Sequence, residues 1–170
     1  LNYGASGAAS SPRLAAELFK AMAGVSIVRI NYRGSGPALI ALVSGEVQLA
    51  FISPGGAIPH IAARRLRALA VASPQPSSLF PGLPTVAATV PGYVTTSLTG
   101  LFAPVRTPAA IIERLNREVV TFLKTAEARE KFFHSGVETV GSSSQEATSR
   151  IKSEIARMAK VIREAGIKDD

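Results

Sequence analysis

Leu1-Asn2-Tyr3-Gly4-Ala5-Ser6-Gly7-Ala8-Ala9-Ser10-Ser11-Pro12 reads as the end of a strand, a loop of small residues and the start of a helix. Residues 1–3 end the strand, and residues 4–10 present backbone amides with almost no side-chain bulk over them. Ser11 suits an N-cap and Pro12 the first helical position, after which Leu14, Leu18 and Met22 run down one face. Such a loop leaves N–H groups free at the positive end of a helix, where an anion can sit. Taken alone, the same stretch is an ordinary βα connection.

The pattern recurs. Gly24 is a natural stop for the first helix, and residues 25–30, rich in β-branched side chains, predict a second strand. Asn31-Tyr32-Arg33-Gly34-Ser35-Gly36-Pro37 is again a small-residue loop, with a helix expected from Pro37 to Gly45. Residues 46–52 predict a third strand, followed by Ser53-Pro54-Gly55-Gly56 and a short helix towards Arg64. Residues 66–72 read as a fourth, fully buried strand. Strands alternating with short helices define an α/β fold, a mostly parallel sheet flanked by helices. The loops after parallel strands gather at one edge of the sheet, where ligands bind. Ser6, Gly7, Ala8, Ala9, Gly34, Ser35 and Ser53 are the expected ligand contacts, through amides and hydroxyls.

Beyond residue 73 the character changes. Five prolines between positions 74 and 91 mark a surface loop, and a domain boundary is expected near 93–100. Thr107-Pro108 predicts a helix start, with Leu115, Val119, Phe122 and Leu123 on its apolar face. A short helix over 127–133 and a short strand or extended link at 137–140 follow. Ser143-Ser144-Gln145-Glu146 is a capping box for a last helix that carries Ile151, Ile155, Met158 and Ile162 and stops at Gly166. No further sheet follows these amphipathic helices in sequence, and the first residue falls inside a strand, so an N-terminal truncation is expected.

Composition narrows the function. Of the 170 residues 46% are hydrophobic and 18% charged, as in a globular domain. No apolar run is long enough to span a membrane. The net charge of +7 invites a nucleic-acid reading. The basic residues are scattered, however, and no aromatics interleave with them as a stacking platform requires. Arg64-Arg65-Leu66-Arg67 reads as a solvated helix end. The absence of cysteine removes thiolate metal sites and cysteine nucleophiles. The only aspartates are Asp169 and Asp170, so the body of the chain offers no Asp-based triad or paired-Asp acid–base site. In Gly4-Ala5-Ser6-Gly7-Ala8 the second glycine is misplaced for a nucleophile elbow, and His60 and His134 stand alone. No metal ligands, cofactor or enzymatic activity are expected.

Several phrases resemble the substrate-binding proteins of tripartite tricarboxylate transporters, the Bug family. They include Leu1-Asn2-Tyr3-Gly4-Ala5-Ser6-Gly7, Tyr32-Arg33-Gly34-Ser35-Gly36-Pro37-Ala38-Leu39 and Leu66-Arg67-Ala68-Leu69-Ala70-Val71. Leu83-Pro84-Thr85-Val86, Gly100-Leu101-Phe102-Ala103-Pro104 and Ala165-Gly166-Ile167-Lys168 match in the same order. The resemblance implies a two-lobed periplasmic binding protein of the type II-like kind that closes on a small carboxylate, a di- or tricarboxylate or an amino acid. It implies that residues 1–96 form most of the second lobe, and residues 97–170 the returning part of an incomplete first lobe. It further implies a periplasmic location, with the signal peptide outside this chain, and membrane transporter subunits as partners. Arg13 stands where the family commonly has histidine, Leu98 where it has tryptophan, and Ser53-Pro54-Gly55-Gly56 where it has asparagine-leucine-proline-serine. The alternative expectation is an interaction module that self-associates through apolar helix faces such as Ile151, Ile155 and Ile162.

Overall fold

The computed structural model describes residues 1–7, 10–164 and 166. They fall into two compact units, Leu1–Ser97 with the described residues from Val161 onward, and Leu98–Lys160.

The first unit is built around β1 (Asn2–Ser6), which has a neighbour on each side. β2 (Val28–Tyr32) pairs with it in parallel, from Asn2 against Val28 to Ser6 against Tyr32. On the other edge Leu49 makes one parallel bridge to Tyr3. There the Gly4 N–H donates to the Leu49 carbonyl at 3.1 Å, and the Leu49 N–H donates to the Asn2 carbonyl at 3.2 Å. The strand therefore runs on through residues 4–6, which the sequence had suggested as open loop. Gly4 is required here by close approach: a Cβ would meet Val47 at 3.3 Å and Tyr32 at 3.4 Å.

α1 (Ser11–Ala23) and α2 (Ser35–Ser44) flank this sheet, and α3 (Pro54–Ala62) follows the third segment. The N-cap of α1 is Ser10, one residue before the expected Ser11, because its hydroxyl accepts from the Arg13 N–H at 3.4 Å. Pro12 thus stands at the second helical position rather than the first. Gly24 closes α1 in the left-handed region, as its sequence context predicts. α2 starts two residues before Pro37, since Gly34 supplies the turn, and ends at Gly45 with φ 82°.

Two expected strands are reduced to single bridges. Residues 46–52 pair only through Leu49, and residues 66–72 only through Val71 to Thr85. The latter segment is far from fully buried, Leu69 being 62% exposed. An apolar run makes a buried strand only when a neighbouring strand lies along it, and here the pairing breaks off after one residue.

The core of this unit joins β1 to α1. Tyr3, Ala5, Ala16 and Ile27 form one cluster, and Leu18, Val90 and Tyr93 a second. Phe19 and Phe51 pack against both. The rings of Phe19, Phe51 and Tyr93 lie 5.9–6.3 Å apart, at separations that favour aromatic packing. The Tyr93 hydroxyl donates to the Ala15 carbonyl at 2.9 Å, tying the loop after residue 90 to α1.

The second unit contains α4 (Ala109–Leu123), α5 (Ala126–His134) and the greater part of α6 (Ser144–Glu164). Pro108, not Thr107, is the N-cap of α4, and residues 137–140 form no strand. Thr125 caps α5 by accepting from the Ala128 N–H at 3.2 Å. The capping box before α6 is present: the Glu146 N–H donates to Ser143 Oγ at 3.2 Å, and the Ser143 N–H to Glu146 Oε2 at 2.9 Å. Among the described residues Ala128 is the buried apolar side chain of this unit, while Leu101, Phe102, Ile111 and Phe122 stay exposed. No helix of the described residues is long and apolar enough to cross a membrane.

Candidate functional site

Parallel pairing brings the ends of β1 and β2 side by side, since Ser6 is in register with Tyr32. The loops that follow, at residues 7–10 and 33–34, therefore leave the same edge of the sheet. The third segment runs parallel to β1 through Leu49 and reaches Ser53 at that edge too. The expected contacts Ser6, Gly7, Gly34, Ser35 and Ser53 all belong to these three strand-to-helix passages. Ala8 and Ala9 lie outside the described residues.

The donors left at the three helix starts differ. In α1, Ser10 occupies the Arg13 N–H, Pro12 has none, and the Ser10 hydroxyl donates back to the Ser6 carbonyl. That start is largely satisfied by its own residues. Gly34, the N-cap of α2, makes no side-chain cap bond and sits at φ 116°, ψ 171°, a region that essentially only glycine occupies. The N–H groups of Ser35 and Gly36 then find no partner among the described residues, and a Cβ added to Gly36 would meet open space. At α3, Ser53 also makes no side-chain cap bond. Gly56 donates to the Ser53 carbonyl at 3.1 Å, Pro54 has no N–H, and the Gly55 N–H is left over. Ser35 and Ser53 are exposed, and Ser6 is half-buried.

Two helix starts thus offer amides with a favourable dipole, and serine hydroxyls stand beside them. This arrangement suits a carboxylate, which accepts several short bonds from fixed donors. Gly36 and Gly55 were missing from the sequence-based contacts. The signal for them is a glycine beside a proline at a helix start, where the proline has no N–H and the glycine amide is left uncovered by any side chain.

A polar group backs the first loop. Tyr3 donates its hydroxyl to Glu17 Oε1 at 2.6 Å, and Lys20 Nζ donates to Glu17 Oε2 at 2.9 Å. Burial and the Glu17 carboxylate push the Tyr3 phenol well above the ordinary phenol range, against the lowering effect of Arg29 and Arg13. For Glu17 burial acts upward, but the Tyr3 hydroxyl, Lys20 and Arg13 outweigh it and hold the carboxyl below its usual range. Arg13 is itself buried on α1. The group braces β1 against α1 rather than aiming at the sheet edge. Among the described residues no three metal-ligating side chains come together. His134 lies 3.7 Å from Glu130 on one exposed helix face, the geometry of a surface pair.

The fold is that of the periplasmic binding proteins. The R. palustris protein Rpa4515 with adipate superposes with a TM-score of 0.90 at 39% identity, covering 98% of this chain and 56% of that one. A periplasmic transporter matches with a TM-score of 0.87 and 31% identity over 99% of this chain and 57% of its own. MatC of Rhodopseudomonas palustris with bound malate gives 0.79 at 27% identity, covering 95% and 56%. A curated relative, the UPF0065 protein of the tcbD-tcbE intergenic region of Pseudomonas sp. strain P51, is 34% identical over 164 residues, 95% of this chain and 49% of the relative. The chain spans about half the length of that relative and of these structures. Residues 1–167 match the tripartite tricarboxylate transporter family receptor, and the chain belongs to that family. It is a family of solute-binding receptors.

Proposed function

We propose that the chain is part of the extracytoplasmic, periplasmic solute-binding component of a tripartite tricarboxylate-type uptake system. It captures a small carboxylate and passes it, chemically unchanged, to membrane transporter subunits. The observation that carries this reading is the pair of uncapped helix starts at Gly34 and Ser53, leaving the amides of Ser35, Gly36 and Gly55 open on one sheet edge. Two related proteins hold adipate and malate, so a dicarboxylate is the favoured class. In this reading residues 1–96 contribute one lobe and residues 97–170 part of the other. Ser6, Gly7, Gly34, Ser35 and Ser53 are the contacts that the second lobe, residues 1–96, offers the ligand, with Ala8 and Ala9, outside the described residues, expected beside them from the sequence.

Calorimetric titration with adipate, malate, citrate and glutamate tests it. Saturable binding of one dicarboxylate, lost at least tenfold in Ser6→Trp, is expected. Unchanged binding in that variant would remove the proposed cleft. A second reading, self-association, is favoured by the exposed Phe102 and Ile155, at 70% and 64%. A concentration-independent monomer mass in light scattering would count against it.

A further inference from the structure

We propose that the rim formed by Arg64, Arg65 and Arg67 is a docking surface for an acidic segment of a protein partner, one that carries apolar side chains between its carboxylates. The inference goes beyond solute binding and uses a different part of the fold.

The three arginines follow the C-terminal end of α3 and are exposed. None of them forms an ion pair among the described residues. They line a wide, shallow depression of about 700 Å³ together with Ile61, Leu66, Leu79, Phe80 and Leu83. No carboxylate lines it. Arg65 also borders a second, smaller depression of about 290 Å³ between α2 and α3, beside Leu39 and His60.

Backbone conformation adds an independent observation. The Arg65 N–H donates to the His60 carbonyl at 2.8 Å and the Arg64 N–H to the Ile61 carbonyl at 2.9 Å, closing α3 in a Schellman motif. Arg64 is the left-handed residue of that motif, with φ 55°, and it is the one non-glycine residue at positive φ among the described residues. Glycine is the residue this position favours, and it fills the corresponding stops of α1 and α2. Arg64 therefore spends stability to place a guanidinium on the rim. Helix-end electrostatics accounts for a cation near the last turn, but not for the choice of arginine at the left-handed position.

Charge and shape select the occupant. Three guanidiniums without counter-ions on a chain of net charge +7 call for carboxylates, which they bind through forked donors. Apolar side chains set between the arginines accept the apolar side chains of a peptide, and Phe80 alone makes no base-stacking platform. The rim also lies away from the carboxylate loops: α3 begins at the ligand edge and ends at the rim, about 13 Å further on at 1.5 Å per residue. A partner docked there leaves the sheet edge open.

The test is fluorescence anisotropy with a fluorescein-labelled nonapeptide alternating Glu with Leu and Phe, at physiological salt. Parallel arms use the same peptide with Lys for Glu, anionic phosphatidylglycerol vesicles and a DNA duplex. Saturable binding of the acidic peptide alone is expected. Arg64→Gly should weaken it about tenfold while raising Tm by about 2–4 °C, the shift that relief of left-handed strain gives in a chain of this size. Arg67→Glu should weaken it further, and Arg114→Glu on α4 should leave it unchanged. Equal losses in Arg67→Glu and Arg114→Glu would reduce the effect to bulk charge and overturn the proposal. So would tighter binding to vesicles or DNA, or full affinity in a stabilised Arg64→Gly. No solute is present in any arm, so the result is independent of the carboxylate reading.

Discussion

Glu17 ties Tyr3 of β1 to Lys20 one turn further along α1, and this pairing makes stability depend on pH. Its carboxyl titrates below the ordinary value of 4.5 in the fold, so its contribution is present above that pH and is lost as pH falls through the folded value. The Tyr3 phenol titrates above its ordinary value of 10.0, so its contribution is complete below pH 10 and drains away as pH rises beyond it. Urea midpoints measured from pH 3 to 11 should therefore decline at both ends. Tyr3→Phe should cost about 1.5–3 kcal/mol at pH 7, the range for a hydrogen bond to a charged group, and should flatten the alkaline decline. Glu17→Gln should cost about 1 kcal/mol and flatten the acid decline. An unchanged acid limb in Glu17→Gln would assign that limb to other carboxylates.

The helix starts are where single elements meet the proposed ligand. At Gly34 a Cβ is opposed by conformation rather than by space, since its nearest contact would be Pro37 at 4.0 Å. Gly34→Ala should lower stability by about 1–3 kcal/mol and weaken carboxylate binding together, as measured by chemical denaturation and calorimetry. Gly36→Ala, inside the helix and facing open space, should leave stability within about 1 kcal/mol of the parent. Most helices were legible because their punctuation is local: Gly24, Gly45 and the Ser143–Glu146 box act within a few residues, whereas the Thr125 cap of α5 went unread. The cap at Ser10 was misplaced by one residue, because Pro12 is tolerated at either of the first two helical positions. Strands were harder. Residues 66–72 carry a strand composition, but a strand needs a neighbour, and composition does not say whether one is present. Gly4 and Ala5 read as loop because small residues open turns, and they also let a strand lie close to helices. The three strand-to-helix loops at one sheet edge were legible as a set. Which amides stay open at them depends on the caps and on Gly34's φ and ψ, which sequence does not display.

At the scale of the whole molecule the two units differ in how they are held. The first has a core of Tyr3, Ala16, Leu18, Val90 and Tyr93 crossing β1, α1 and the loop after residue 90, whereas the second buries Ala128 alone among its apolar side chains. Local opening free energy follows burial, so native-state hydrogen exchange should find α4 and α5 exchanging well before β1 and α1. Equal protection across the two units would show that the helices of the second are covered in solution by another molecule. Tyr93→Ala should cost about 3–5 kcal/mol and abolish the protection of α1, whereas Tyr93→Phe should cost about 1 kcal/mol, the value of the bond to Ala15. That bond joins residues 78 positions apart. At a synthesis rate of roughly 5–20 residues per second, Tyr93 is added about 4–16 s after Ala15. For those seconds the aromatic face of α1 has no Tyr93 ring to close over it, so this part of the nascent chain stays open long after α1 has been made.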